Sequence, residues 1–322
     1  MQYVGIQTQQ SRNNLRSAFL LFLFPCLVAA LLYLTCYLLT FMGYKEDMEV
    51  EMMPIVNHFF FSSLPYTMGI VLIWFLIAYW ANTSIINSAT GSKPLHRQEN
   101  KRVYNLVENL CMSQGMKMPK INIIYDSSLN AFASGINERT YTVTLSEGII
   151  RKLNDEELEA VIAHELSHIR NRDVRLLIIS IVFVGIFSML TEITFYAITH
   201  IRVRSSSNSK GSGGVVLFIL IALVIAAIGY LFASLMRFAI SRKREYMADA
   251  GSAEMTKNPL ALANALRKIS ADPAIEAVER KDVAQLFIQN PQKASKSIFS
   301  GLSGLFATHP PIEKRIEILE QF

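Results

Sequence analysis

The chain has 322 residues, of which 51% are hydrophobic and 18% are charged, with a formal net charge of +5. This hydrophobic share exceeds the usual value for soluble globular proteins, so the composition favours a membrane protein. The positive charge does not indicate a nucleic-acid partner, because no basic run is interleaved with aromatic residues. Basic residues instead flank apolar segments, where anionic lipid head groups would lie.

Four apolar segments are each long enough to cross a bilayer, whose hydrocarbon core needs roughly 20 residues of helix. Two lie near the N-terminus, separated by an acidic loop at 43–57, and two lie in the second half of the chain. The segments are residues 18–42, 64–83, 176–199 and 214–236. We therefore predict about four transmembrane helices.

Basic residues predict how these segments are oriented. Arg12 and Arg16 precede the first segment, and further Lys and Arg residues follow the second and the fourth. The positive-inside rule then places the N-terminus, residues 88–175 and the C-terminal region in the cytoplasm. The Ser/Gly-rich connector 200–213 is basic as well, which leaves two alternatives: the last two segments cross the membrane, as their lengths favour, or they form a hairpin that does not fully cross.

The regions outside the apolar segments have an α+β pattern. A helix is predicted at about 97–115, and β-rich runs at 120–125 and 140–145 predict two strands of a small sheet. By composition, the patch DSSLNAFASG between these strands is typical of a turn. Further helices are expected near 242–256, 259–270 and 311–320.

The stretch NDEELEAVIAHELSHI predicts a helix that begins with a capping box formed by Asn154 and Glu157. His164 and His168 are four residues apart on it, so both imidazoles can reach one zinc ion. Glu165 is placed to touch a water on that zinc and to act as its general base. The alternative is an ordinary polar helix face, because a lone H-E-x-x-H can arise by chance.

A third metal ligand is required, because catalytic zinc sites use three protein ligands and keep one position open. Glu245 and Asp249 share one face of a later helix, so Glu245 can be the third ligand and Asp249 can accept the second ring N–H of a zinc-bound histidine. The alternative is an exposed acidic pair. His168 lies eight residues before the third apolar segment and Glu245 nine after the fourth. At about 1.5 Å per residue, both lie about 12 to 14 Å from the same membrane face, which favours a shared metal.

The motifs H-E-L-S-H and S-R-K-R-E-Y-M-A-D-A-G-S-A stand on either side of the second apolar pair. L-N-A-F-A-S-G precedes them and T-H-P-P-I-E-K-R-I follows. In order and spacing, roughly residues 95–322 resemble the HtpX-like membrane zinc metallopeptidases, relatives of the CAAX prenyl proteases. The first 60 residues match only in being membrane-anchoring. The resemblance implies a mostly α membrane protein with an α+β gluzincin-type peptidase domain.

The resemblance also implies a role for each residue of the site. One Zn²⁺ per chain would be bound by His164, His168 and Glu245, with Glu165 as general base and acid and Asp249 behind the ligands. An extended substrate would pair with a strand rim. The residues of that rim are Asn130, Ala131, Phe132 and Ala133.

Two further residues are candidates for stabilising the oxyanion of the tetrahedral intermediate. His309 could donate to it, with Arg315 as support, because zinc alone leaves developing charge that a second donor would stabilise. The alternative is that the T-H-P-P stretch only starts the last helix. Glu192 is the acidic residue inside an apolar segment, and a structural position near the far interface is favoured for it over a functional one.

We predict that the chain has four parts and a single enzymatic activity. Residues 1–90 form the tail and the first two membrane helices, 91–175 the first part of the catalytic domain, 176–236 the helical hairpin, and 237–322 the second part. The predicted activity is that of an endopeptidase in the bacterial cytoplasmic membrane. Its catalytic domain would face the cytoplasm, and the resemblance implies that it hydrolyses misfolded or damaged membrane proteins or unfolded polypeptides. The alternatives are a CAAX-type processing protease and a catalytically silent, zinc-stabilised scaffold.

Overall fold

The computed structural model describes residues 6–43, 51–176, 178–179, 222–224, 227–230, 242–271 and 310–322. The chain divides into two compact units. The first comprises Met1–Ser17, Tyr79–Ile181 and Arg237–Phe322, and the second comprises Ala18–Ala78 and Val182–Met236. Glu192 and His309 lie outside the described residues.

Two long helices dominate the N-terminal part of the chain. Helix α1 spans Ile6–Gly43 and helix α2 spans Met52–Thr90. Within them, Ser11–Phe41 and Met52–Ile77 are long and apolar enough to cross a membrane, and they overlap the first two predicted segments. Of the segments 176–199 and 214–236, all but a few residues lie outside the described part of the chain.

A small mixed sheet has four strands: β1 (Lys93–Pro94), β2 (Lys120–Ile124), β3 (Ala131–Ser134) and β4 (Thr142–Ser146). Their order is β1-β2-β4-β3. Strands β2 and β4 are parallel, with Ile121 opposite Val143, whereas β1 and β3 pair antiparallel with their neighbours. The two strands expected from their β-rich runs are confirmed. The patch whose composition is typical of a turn contains β3, because its backbone pairs with β4.

Six further helices are described. They are α3 (Lys101–Ser113), α4 (Glu147–Lys152), α5 (Asp155–Arg170), α6 (Arg242–Thr256), α7 (Pro259–Ala271) and α8 (Ile312–Leu319). Helix α5 begins with the predicted capping box: the Asn154 side chain accepts from the Glu157 N–H, and the Glu157 carboxylate accepts from the Asn154 N–H. Leu158, Ile162 and Leu166 are fully buried on α5, so this helix is central to the core of the first unit.

Helices α5 and α6 pack closely because small residues face each other between them. Ser252 Oγ donates to the Ala160 carbonyl at 2.7 Å. A Cβ added at Gly251 would collide with the hydroxyl of Ser167, so the close approach requires glycine at this position. The packing places the first turn of α6, with Glu245, beside the histidines of α5.

Candidate metal centre

The two histidines of α5 converge on one point. His164 and His168 are one helical turn apart, and their Nε2 atoms are 3.2 Å from each other. His164 is fully buried and His168 is largely buried. Two imidazole nitrogens held this close in a poorly solvated position are suited to sharing one metal ion.

Glu245 supplies a carboxylate to the same point from α6. Its Oε2 lies 3.8 Å from His164 Nε2, and its Oε1 lies 3.6 Å from His168 Nε2. Ligand atoms of the three residues all lie within 4.8 Å of one another. The structure therefore brings together the three residues that the sequence predicts as ligands.

The donor set fits zinc in both chemistry and spacing. Two imidazole nitrogens and one carboxylate are a typical ligand set of catalytic zinc sites. Metal–ligand bonds of about 2.0 to 2.1 Å in a tetrahedron put neighbouring donors roughly 3.3 Å apart. The observed separations of 3.2, 3.6 and 3.8 Å are close to that value.

A carboxylate lies behind each histidine ring. Asp249 Oδ1 is 3.0 Å from His164 Nδ1, and Asp173 Oδ2 is 3.3 Å from His168 Nδ1. Because Nδ1 of each ring faces a carboxylate, its proton is held there, and the lone pair of each Nε2 is directed towards the cluster. Asp249 was expected in this position. Asp173 was not, because it follows the end of α5 and does not share the helix face of the histidines.

Arg315 holds Asp249 from the last helix. Its guanidinium is fully buried and donates to both oxygens of Asp249, through Nε at 2.9 Å and Nη2 at 2.7 Å. Nη1 lies 3.5 Å from Glu245 Oε2. The guanidinium thus contacts Glu245, which is a candidate metal ligand, and Asp249, which lies behind His164. Its predicted oxyanion role stays a prediction, as does that of His309, which the described residues do not include.

Burial and neighbouring charges shift the pKa values of the cluster. Burial raises the pKa of Glu165 to about 7, although the positive charge of His168 opposes the shift. Burial alone would lower the pKa of His168, but the Asp173 hydrogen bond and the Glu245 charge outweigh it and raise that pKa to about 9. At His164 burial dominates and the pKa is lowered. Without a metal ion, these shifts favour the protonated form of His168 and increase the protonated fraction of Glu165 near neutrality.

Strand β3 reaches the same cluster. The backbone N–H of Ala133 donates to the carboxylate of Glu165, and β3 packs against α5 at the edge of the sheet. The residues predicted to contact substrate are all buried. These are Asn130, Ala131, Phe132 and Ala133. The structure thus places this strand beside the predicted general base.

Known proteins resemble the chain over most or all of its length. The profile of peptidase family M48 matches residues 97–322. A protein named protease HtpX homolog from Bacteroides fragilis is 71% identical over 323 residues and covers 100% of both chains. Another of the same name, from Lactobacillus helveticus, is 38% identical and covers 82% of this chain and 89% of its own.

A solved structure is also similar. The crystal structure of S. mikatae Ste24p matches with a TM-score of 0.46 and 20% identity, covering 79% of this chain and 58% of that one. The similarity to the B. fragilis protein extends over the whole chain, including α1 and α2.

Proposed function

Because the chain belongs to peptidase family M48, we propose that His164, His168 and Glu245 bind one zinc ion and form the active site of an endopeptidase that degrades damaged membrane proteins. The protein is a metalloprotease and a membrane protein. The observation that carries the zinc assignment is the convergence of three donors from two helices, two of them buried and His168 largely so. A polar helix face would leave these groups in solvent, and a silent scaffold would not need Glu165 beside them.

Each residue of the cluster has a role in this reaction. When bound, zinc supplies Lewis acidity to the attacking water and to the scissile carbonyl. Glu165 takes a proton from the water and passes it to the leaving amine. Without a metal ion, burial raises its pKa from the usual carboxyl value towards neutrality, the range in which a general base is most effective. Asp249 and Asp173 keep the ligating nitrogens of the two histidines aimed at the metal.

The sheet edge suits an extended substrate. An unfolded segment can pair with an edge strand through its backbone, so that recognition depends little on side-chain identity. Strand β3 is an edge strand, and Ala133 is in contact with Glu165. Asn130–Ala133 is buried in the structure, so a substrate would pair along it only after displacing the contacts that cover this edge, and its backbone would then lie beside the general base. Substrates of this kind are the exposed, unfolded segments expected in damaged membrane proteins.

The proposal also covers the membrane topology, the domain organisation and the location of the protein. It comprises four transmembrane helices, a gluzincin-type domain assembled from 91–175 and 237–322, and a location in the bacterial cytoplasmic membrane with the catalytic domain on the cytoplasmic side. The support comes from the apolar segments and from the distribution of basic residues.

Glu165→Gln tests the proposal most directly. Gln has nearly the same shape but cannot accept the proton, so we expect casein cleavage by the purified full-length protein to fall by about 10²- to 10⁴-fold while one zinc per chain is retained. Glu159→Gln is the matched control, since it makes the same change on α5 at a partly exposed position and should cleave normally. Equal cleavage by the Glu165 variant, or a wild-type protein that takes up no zinc, would refute the proposal.

The same assay separates the alternatives. A silent scaffold would bind zinc and cleave nothing. A CAAX-type enzyme would cleave a prenylated C-terminal peptide and leave casein intact. The proposed endopeptidase cleaves casein, and mass spectrometry of the products maps its preferred bonds.

A further inference from the structure

The start of α1 has a reversed burial pattern. Asn13 and Ser17, one helical turn apart, are 1% and 3% exposed, whereas Leu15 between them is 72% exposed. Burying polar side chains while a leucine stays outside is unusual, and it costs free energy unless the polar groups form hydrogen bonds. The buried face of this segment therefore indicates a specific polar contact.

The partners of Asn13 lie immediately after the metal-binding helix. Asn13 Nδ2 donates to the main-chain carbonyl of Asn171 at 2.9 Å and to Asp173 Oδ1 at 2.6 Å. An amide nitrogen has two hydrogens, and both contacts are to acceptors, so the amide orientation is fixed by its partners. The other oxygen of the same carboxylate, Asp173 Oδ2, faces His168 Nδ1.

The turn that carries Asp173 is held in an unusual conformation. Arg172 has a positive φ of 61°, a conformation that is uncommon for a residue with a side chain. Arg172 Nη1 donates to Asn14 Oδ1 at 3.1 Å, and Arg244 Nη1 donates to the main-chain carbonyl of Asp173 at 3.1 Å. The Arg244 contact holds the backbone at Asp173, whereas Asn13 contacts both the backbone at Asn171 and the Asp173 carboxylate.

We propose that Asn13 is a positioning residue of the metal centre: it orients the Asp173 carboxylate, which in turn orients the His168 ring towards the metal. The proposal rests on the zinc site described under Proposed function. It makes the N-terminal end of α1 a part of the metal centre as well as of an anchor. In this proposal Asn13 touches neither substrate nor metal, and its effect on His168 passes through Asp173.

Zinc affinity measures this role without relying on catalysis. The full-length protein would carry Glu165→Gln, so that it cannot cleave itself, and zinc would be titrated in detergent against a chromophoric chelator. Loss of a residue that orients a metal-binding histidine typically costs 10- to 100-fold in affinity. We expect Asp173→Ala to fall in that range and Asn13→Ala to weaken zinc binding about tenfold, with one zinc per chain still bound at saturation.

A matched control and a double variant make the test specific. Asn14→Ala removes the neighbouring amide, whose partner is Arg172 and not the carboxylate, and should leave zinc affinity within about twofold of the parent. In the Asp173→Ala background, Asn13→Ala should add less than about twofold, because residues that act through one another are not additive. A serine side chain at position 13 is too short to reach Asp173, so Asn13→Ser should behave like Asn13→Ala. It provides the measurement if the alanine variant folds poorly.

Two results would overturn the inference. One is a zinc affinity for both Asn13 variants that equals that of Asn14→Ala. The other is an equal loss from Asn13→Ala with and without Asp173, which would show that Asn13 acts by another route. A parent protein that binds no zinc would instead refute the proposed function, so the two failures are distinguishable.

Discussion

Replacement of Arg315 by methionine tests how the last helix supports the metal centre. The guanidinium is fully buried and donates to both oxygens of Asp249, and it also lies 3.5 Å from Glu245. Methionine fills similar space without a charge. The change therefore leaves the Asp249 carboxylate buried without the two N–H donors of Arg315.

The expected cost follows from that geometry. Removing one partner of a buried ion pair typically destabilises a protein by about 3 to 5 kcal/mol, because the remaining charge is neither solvated nor paired. The pair is bidentate and both side chains are buried, so we expect a loss in this range. For 322 residues, an unfolding entropy of about 2.1 cal/mol/K per residue gives about 1.5 °C per kcal/mol, and so a fall in apparent Tm of roughly 4 to 7 °C.

Thermal unfolding of the metal-free, full-length protein in detergent is the assay. Lys314→Met is the matched control, because it removes an exposed cation from the same helix and should leave Tm nearly unchanged. Asp249→Asn combined with Arg315→Met removes both charges of the pair. This double variant should be much less destabilised than the sum of the two single variants.

Two outcomes would refute the reasoning. If Arg315→Met unfolded within about 2 °C of the Lys314 variant, the buried pair would contribute little to holding α8 in place. If the double variant lost as much stability as the single losses combined, the two residues would act independently, and the bidentate contact would not explain their effects.

Three further predictions follow from the same contacts. In the Glu165→Gln background at pH 7.5, calorimetry in buffers of different ionisation enthalpy should detect proton release on zinc binding, because the pKa of His168 is raised mainly by Asp173 and Glu245, which this background keeps, and zinc displaces that proton. Apparent zinc affinity should accordingly rise with pH and level off above the pKa of His168, and a flat profile would contradict this. Asn154→Ala should lower stability by about 1 kcal/mol through loss of the capping box, whereas an unchanged urea midpoint would show that the cap is dispensable. Gly251→Ala should lower Tm, at a cost of about 1 to 3 kcal/mol, because the added Cβ meets the Ser167 hydroxyl.

The candidate metal ligands could be predicted from sequence because their arrangement is local within each helix. His164 and His168 are neighbours through helix periodicity alone, and so are Glu245 and Asp249. The capping box at Asn154 is equally local, and it is confirmed. Assigning the histidines and Glu245 to one metal ion required only that their helices lie at a similar distance from the apolar segments.

The supporting residues could not be predicted, because no periodic pattern connects them. Asn13 and Asp173 are 160 residues apart, and Arg315 and Asp249 are 66 apart. Asp173 also depends on a turn with a positive φ at Arg172, which sequence patterns rarely indicate for arginine. A clue was present in N-R-D after the second histidine, since a carboxylate just past a metal-binding helix can turn back onto it.

Strand β3 shows a different limit of pattern analysis. The patch around Asn130 is rich in Asn, Ser and Gly, which are typical of turns. It becomes a strand because its backbone pairs with β4, with Phe132 opposite Thr144. Strand formation reflects the surrounding sheet more than intrinsic preference, so here the tertiary context outweighs the local composition.

The charges of the described residues explain why the centre suits a divalent cation. Four buried carboxyl groups surround the two histidines, and two buried guanidinium groups accompany them. These are Asp173, Asp249, Glu165 and Glu245, with Arg244 and Arg315. With neutral histidines and ionised carboxylates, the cluster carries two excess negative charges, which are costly in a buried position. The metal-free protein offsets them with protons, as the raised pKa values of His168 and Glu165 indicate. A doubly charged metal ion provides the same compensation at the point where three donors already converge.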